Sequence, residues 1–340
     1  MNFKIILFNN QEVNGAVMQL PKTVLIALLL TSLVLGSGFG QMPRAYAATG
    51  DVLASGTPFS GNGRALAFDG THLYATYTAS LSTIHKITVP GLVDVGTISV
   101  VTSAGAPVDC GALSWDGSML WCGTYDADGK VYKVDKTSGL ATLQFDASPP
   151  VAGPCYSQSA GFLDGLEYNM FDSPNTLWIS DDAGKTVYHF SAAGALLGSF
   201  SAPYAVIAGV TYECNAGINF DGAHLWLAIY GGANPDVSFP TGRIAQFTTA
   251  GVYTGISFVT GHLKEDIAYD AITFAPKCAI WALTNGLGPA GPGSIHAYEI
   301  PCSGEPPKVP EFDAALPLLT SLAAVVAVSA KRLLGRREAA

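Results

Sequence analysis

One motif limits the fold of this chain more tightly than any other feature: an aromatic residue, an Asp-Gly pair, then Leu or Met-Leu followed by Trp or Tyr. It reads Phe68-Asp69-Gly70-Thr71-His72-Leu73-Tyr74, Trp115-Asp116-Gly117-Ser118-Met119-Leu120-Trp121 and Phe220-Asp221-Gly222-Ala223-His224-Leu225-Trp226. Two looser copies pair Tyr168-Asn169 with Leu177-Trp178, and Phe274-Ala275 with Ile280-Trp281. The closing aromatics Tyr74, Trp121, Trp178, Trp226 and Trp281 are spaced by 47, 57, 48 and 55 residues. Asp-Gly between apolar, alternating segments marks a tight β-hairpin. Recurrence near fifty residues marks a repeat architecture.

A second short strand follows each copy: Ile84–Ile87, Val131–Val134, Val187–Phe190, Ile244–Phe247 and Ile295–Tyr298. In the first four copies a glycine comes next (Gly91, Gly139, Gly194, Gly251) and opens a further strand, as at Val95–Val101 and Ala195–Phe200. The unit is therefore four antiparallel strands, five times over, which predicts an all-β propeller of five blades, with six as the alternative count. The fifth copy meets Pro301 before its last strand. Residues Asp51–Ser55 would supply that strand and remove an exposed edge. The whole pattern resembles the broad superfamily of NHL, YncE-like and SMP-30-like propellers, a resemblance that implies fold and not activity.

The ends read as addresses. Thr23–Gly40 is an apolar run after Lys22, followed by Ala45-Tyr46-Ala47, the layout of a secretory signal peptide over residues 1–47. The propeller is then expected over 48–303, a Pro-rich linker over 304–312, and a terminal segment over 313–340. Ala314–Ala330 is uncharged and spans about 25 Å as a helix, the short limit for a transmembrane anchor. Lys331, Arg332, Arg336 and Arg337 would keep its end on the cytoplasmic side. With Pro310-Glu311-Phe312 ahead of it, the tail resembles the archaeal PEF-CTERM sorting signal. That resemblance implies processing by an archaeosortase-like enzyme at the membrane; a plain anchor is the alternative. Either way the body is expected on the extracellular side, at the cell surface.

Six cysteines fall in the expected body, an even number that suits disulfides in an exported chain. The repeat register predicts Cys110–Cys122, Cys278–Cys302 and Cys155–Cys214. No C-x₂-C pair points to a structural metal.

Charged residues make up 13% of the chain, about half the usual fraction. Between residues 49 and 310 there are 22 acidic and 10 basic side chains, which excludes a nucleic-acid binder built on a basic face. Asp126 and Asp128, with Asp181 and Asp182 in the equivalent loop, are candidate ligands for Ca²⁺, a cation that takes oxygen donors; no other cofactor is indicated. Asp164 and Asp270, each four residues before a motif aromatic, join Arg64 and Glu167 as candidate ligand-binding groups at the channel mouth. No G-x-S-x-G, H-E-x-x-H or P-loop occurs. The expected function is a noncatalytic surface propeller that binds a ligand or envelope partner. The alternatives are an extracellular metal-dependent hydrolase or lyase, and a structural envelope component.

Overall fold

The computed structural model describes residues 49–125, 128–147, 163–180, 186–201, 214–230, 242–261, 264–284 and 293–303. Their strands form five sheets, and each sheet is one blade. Blade one runs outward through Gly63–Phe68, His72–Tyr77, Ser80–Thr88 and Asp94–Ser99. Blade two contains Cys110–Trp115, Leu120–Thr124, Lys130–Val134 and Leu140–Asp146, with Val101–Thr102 added in parallel at its outer edge. Blade three contains Gly165–Asn169, Thr176–Ser180, Thr186–Ser191 and Leu196–Ser201. Blade four contains Cys214–Phe220, Leu225–Tyr230, Arg243–Phe247 and Tyr253–Val259. Blade five contains Lys264–Asp270, Cys278–Thr284 and Ile295–Ile300, and its outermost strand is the N-terminal Val52–Gly56. The ring therefore closes as the sequence predicts, with five blades and a strand borrowed from the other end of the chain.

The repeated motif makes the hairpin between the first two strands of each blade. Gly70, Gly117 and Gly222 take φ of +92°, +93° and +97°, the left-handed region open to glycine, so the chain can reverse there. The preceding aspartate holds the turn. One oxygen of Asp69, Asp116 and Asp221 accepts the N–H groups two and three residues on. The other oxygen accepts from the next-strand aromatic: Tyr74 Oη at 2.9 Å, Trp121 Nε1 at 3.0 Å and Trp226 Nε1 at 2.7 Å.

The fifth copy corrects the sequence reading. Asp270, not the segment at Phe274, opens the equivalent turn: it accepts from Ile272 N, Thr273 N and Trp281 Nε1. The motif aromatic is thus Tyr269, and a longer connection through Phe274 separates it from Trp281.

The core is distributed. Among the described residues, five clusters of buried apolar side chains occupy the five seams between neighbouring blades. The closing aromatics Tyr74, Trp121, Trp178, Trp226 and Trp281 each fill one seam, which explains why a bulky residue recurs there.

Two predicted disulfides are present, Cys110–Cys122 and Cys278–Cys302. The first is diagonal rather than directly opposed, since Cys110 faces Thr124 and Cys122 faces Leu113 across a bulged pair. Cys155 lies outside the described residues, as does any account of the Cys214 side chain. The same holds for residues 1–47, for Pro310, Glu311 and Phe312, and for the apolar run 314–330. Among the described residues no helix is long and apolar enough to cross a membrane.

Candidate active site

The five inner strands surround the propeller axis and contact one another there. Their outer edges pair within the blade, so their inner edges carry backbone N–H groups with no ladder partner. Three side chains just before the motif aromatics satisfy such groups on the next blade. Ser114 Oγ accepts from Tyr168 N at 2.8 Å, and Asn219 Oδ1 accepts from Tyr269 N at 2.9 Å. Glu167 accepts from Phe220 N. These three side chains also join each other: Ser114 Oγ donates to Glu167 Oε2 at 2.9 Å and Asn219 Nδ2 donates to the same oxygen at 2.8 Å.

One layer deeper, Asp266 is fully buried and closes the channel. Its carboxyl group accepts Leu66 N at 2.8 Å, its own neighbour Ile267 N at 2.9 Å, and Leu113 N. The space is tight enough that a Cβ on Gly217 would fall 2.5 Å from Asp266 Cα. Above this floor is a cavity of about 350 Å³. Ser114, Glu167 and Asn219 lie at its base; Phe68, Trp115, Tyr168, Phe220 and Tyr269 form its wall. Met170, Phe171 and Ile272 stand at its rim and remain exposed.

Electrostatics separate base from rim. Burial pushes the Glu167 carboxyl up to about 8, against the opposing hydrogen bonds from Ser114 and Phe220 N. Burial also raises Asp266 well above the usual carboxylate range, opposed by its three N–H donors and reinforced by the nearby Glu167 charge. With its value of about 8, Glu167 is mostly protonated at neutral pH. The turn aspartates at the rim behave oppositely. Burial would raise Asp69, but Lys136, Thr71 and the N–H groups of Thr71 and His72 outweigh it and hold Asp69 well below the usual range. Asp116 is likewise lowered: its turn N–H groups, Ser118 and Trp121 overcome the burial that would raise it.

Of the four residues expected to bind ligand at the channel mouth, only Glu167 lines this cavity. The cavity opens at the hairpin end of the inner strands, opposite to the strand-entry face where the sequence reading placed the site. Arg64 lies at the entry end, in a salt bridge to Glu265 at 3.2 Å and stacked on the Tyr125 ring at 4.6 Å. With Tyr269 as the fifth motif aromatic, Glu265 and not Asp270 is the counterpart of Arg64. Asp164 is buried at the same entry level, beside the start of blade three. Asp270 is spent on its hairpin turn and Trp281.

The Ca²⁺ candidates Asp126, Asp181 and Asp182 lie outside the described residues. Asp128 is engaged by Lys130 and by Thr124 Oγ1 at 2.7 Å. Among the described residues no group of three or more His, Cys, Asp or Glu side chains is arranged to hold a metal ion. Ser114 and Asn219 escaped the sequence reading because single neutral polar residues in a strand carry no motif. The signal lay in the column before the motif aromatics, which reads Ala67, Ser114, Glu167, Asn219 and, once Tyr269 is aligned, Ala268.

No protein-family model matches the sequence, and no curated protein matches it. Similar solved structures include a glutaminyl cyclase from Myxococcus xanthus, 14% identical with TM-score 0.47, covering 74% of this chain and 97% of that one. A PQQ-bound aldose sugar dehydrogenase from Streptomyces coelicolor is 11% identical with TM-score 0.43, covering 76% and 99%. A chain of a mitotic checkpoint complex is 15% identical with TM-score 0.35, covering 69% of this chain and 63% of its own length. These likenesses concern the general build and lend this chain no activity. The carboxyl group of Glu167, enclosed at the cavity base, is a chemical group rather than a display surface. The expectation of a noncatalytic binder is corrected accordingly.

Proposed function

We propose that this protein is an enzyme that carries out general acid–base chemistry with Glu167 on a small, uncharged, largely apolar substrate, in the manner of a hydrolase or lyase. The observation that carries this reading is a carboxyl group held by Ser114 and Asn219 at the base of an apolar-walled cavity. A group that exchanges its proton near the working pH is the most effective proton donor and acceptor, and Glu167 sits at about 8. The exposed Met170, Phe171 and Ile272 at the rim favour an apolar body on the substrate. The turn carboxylates of Asp69 and Asp116 are already neutralised by Lys136 at 2.9 Å and Lys133 at 3.2 Å. The rim therefore offers no free charge of either sign from these pairs.

The two disulfides suit an oxidising compartment outside the cytoplasm. Our reading places the enzyme at the cell surface, brought there by the signal-peptide-like leader and held or sorted through the apolar, arginine-ended tail. The test of the catalytic reading has two parts. ¹³C-NMR should show one glutamate carboxyl titrating near 8 that disappears in Glu167→Gln. A panel of small neutral esters, amides and hydroxy compounds should show turnover that falls on the order of a hundredfold or more in the same variant. A Glu167 that titrates at the ordinary glutamate value, or turnover unchanged in Glu167→Gln, would overturn it.

A further inference from the structure

The ring of caps around the channel is incomplete. Each capping side chain stands one residue before the motif aromatic and serves the aromatic's N–H on the next blade: Ser114 for Tyr168, Glu167 for Phe220, Asn219 for Tyr269. In blades five and one that position is Ala268 and Ala67, whose methyl groups accept nothing. The N–H groups they would serve belong to Phe68 and Trp115. The register shows that these two point inward. Asp69 N bonds His72 O and Asp116 N bonds Met119 O, so the pairs Phe68–Leu73 and Trp115–Leu120 are the non-hydrogen-bonded ones. Both residues line the cavity, and no described group accepts from either N–H.

The layer beneath shows what such a pair of strands receives. Two residues earlier on the same strands, Leu66 N and Leu113 N both donate to the carboxyl group of Asp266. One planar carbonyl-bearing group thus spans blades one and two within the channel. At the level of the cavity no described side chain supplies such a group.

We infer that the Phe68 and Trp115 N–H groups form a binding site for the carbonyl oxygen of a neutral amide or ester whose apolar body rests against Phe171, Met170 and Ile272. This inference rests on the acid–base reading only for the use made of the bound carbonyl, since the N–H pair is built by strand register alone. A neutral carbonyl fits better than a carboxylate, because no Lys or Arg stands among the described residues lining the cavity to pair with a negative charge. The two N–H groups polarise the carbonyl by donating to its oxygen, the role of an oxyanion hole. Glu167, joined to the same blade-two strand through Ser114, faces the bound group across the base of the cavity.

The probe is benzamide, with toluene as the matched hydrocarbon, titrated into the ¹⁵N-labelled protein. Benzamide should move the Phe68 and Trp115 amide protons downfield, and toluene should move them little. Ala67→Ser would place a hydroxyl where Ser114 stands in the next blade and cap Trp115 N; Ala268→Ser would cap Phe68 N in the same way. Each should weaken benzamide about three- to tenfold, the size of one net hydrogen bond, and leave toluene binding unchanged. Equal shifts with benzamide and toluene in the wild type would overturn the inference. So would serine variants that bind benzamide as the wild type does. If one serine variant fails to fold, the other and the wild-type titration still decide. No turnover is read, so a Glu167 that titrates normally would defeat the acid–base reading and leave these shifts standing.

Discussion

Glu167 binds its proton more tightly in the folded protein than in the unfolded chain, with a value of about 8 against an ordinary 4.5. The folded state therefore carries the extra proton across that window, and stability falls as pH rises through it. Asp266 is shifted in the same direction by the same burial. Lys264, buried beside Thr284 and His296, is lowered to about 7 from 10.5 by burial. There the unfolded chain holds the extra proton, and stability rises between about 7 and 10.5. Melting temperature measured across pH 5 to 10 should thus pass through a shallow minimum near 7–8. Glu167→Gln should flatten the acid limb, and Lys264→Met the alkaline one. A second expectation concerns the turn aspartates. Asp221→Ala strands the buried Trp226 indole N–H and should cost about 1–3 kcal/mol. At roughly 2–4 °C per kcal/mol for a body of this size, that lowers the melting temperature by several degrees. Asn169→Ala should cost less, since Trp178 Nε1 has no described partner to lose and its ring stacks on His189 at 3.9 Å.

The hairpin was the element most legible in the sequence, because Asp-Gly fixes a backbone conformation that few other pairs permit. The third strands and the borrowed strand were legible too, from β-branched runs and from the missing strand at Pro301. The fifth hairpin was misaligned. Its connection from Asp270 to Cys278 is longer than the others and lacks glycine after the aspartate, so Phe274 stood in for Tyr269. That one error moved Asp270 to the wrong end of its strand and hid Glu265 as the partner of Arg64. The cavity was illegible for a different reason. Its polar residues are spread over three blades, and only closure of the ring brings Ser114, Glu167 and Asn219 together. The borrowed strand carries its own prediction. It pairs with Ile295–Tyr298, and Gly50 N donates to Glu299 O at 2.8 Å while Glu299 N donates to Asp51 O. Removing residues 49–56 should bare the edge of Ile295–Ile300, lower the melting temperature and promote self-association, read by light scattering.

At the scale of the molecule, stability resides in seams between blades, so no single layer forms a core and each blade depends on two neighbours. The channel is the one place where all five meet, which is why small polar side chains there can tie three blades together while leaving two N–H groups for a ligand. The rim of the wheel differs. Val95, Leu143, Leu196, Leu197 and Val259 on the outer strands are exposed. Reduction of the two disulfides should leave the channel ring intact and cost about 2–4 kcal/mol per bridge, measured by thermal unfolding with and without reductant. Closure by the first strand has a mechanical meaning as well. Val52 lies against Tyr298, so the described chain enters and leaves at the same end of an antiparallel pair. A pull applied between residues 49 and 303 loads that pair as a zipper, parting its bonds in succession rather than shearing them together. The Cys278–Cys302 bridge shunts the load from the last strand to its neighbour, so the borrowed strand peels while the remaining three stay clasped. Traction applied at one end of the described chain alone does not load that zipper, so the pairing of Val52–Gly56 with Ile295–Ile300 is spared.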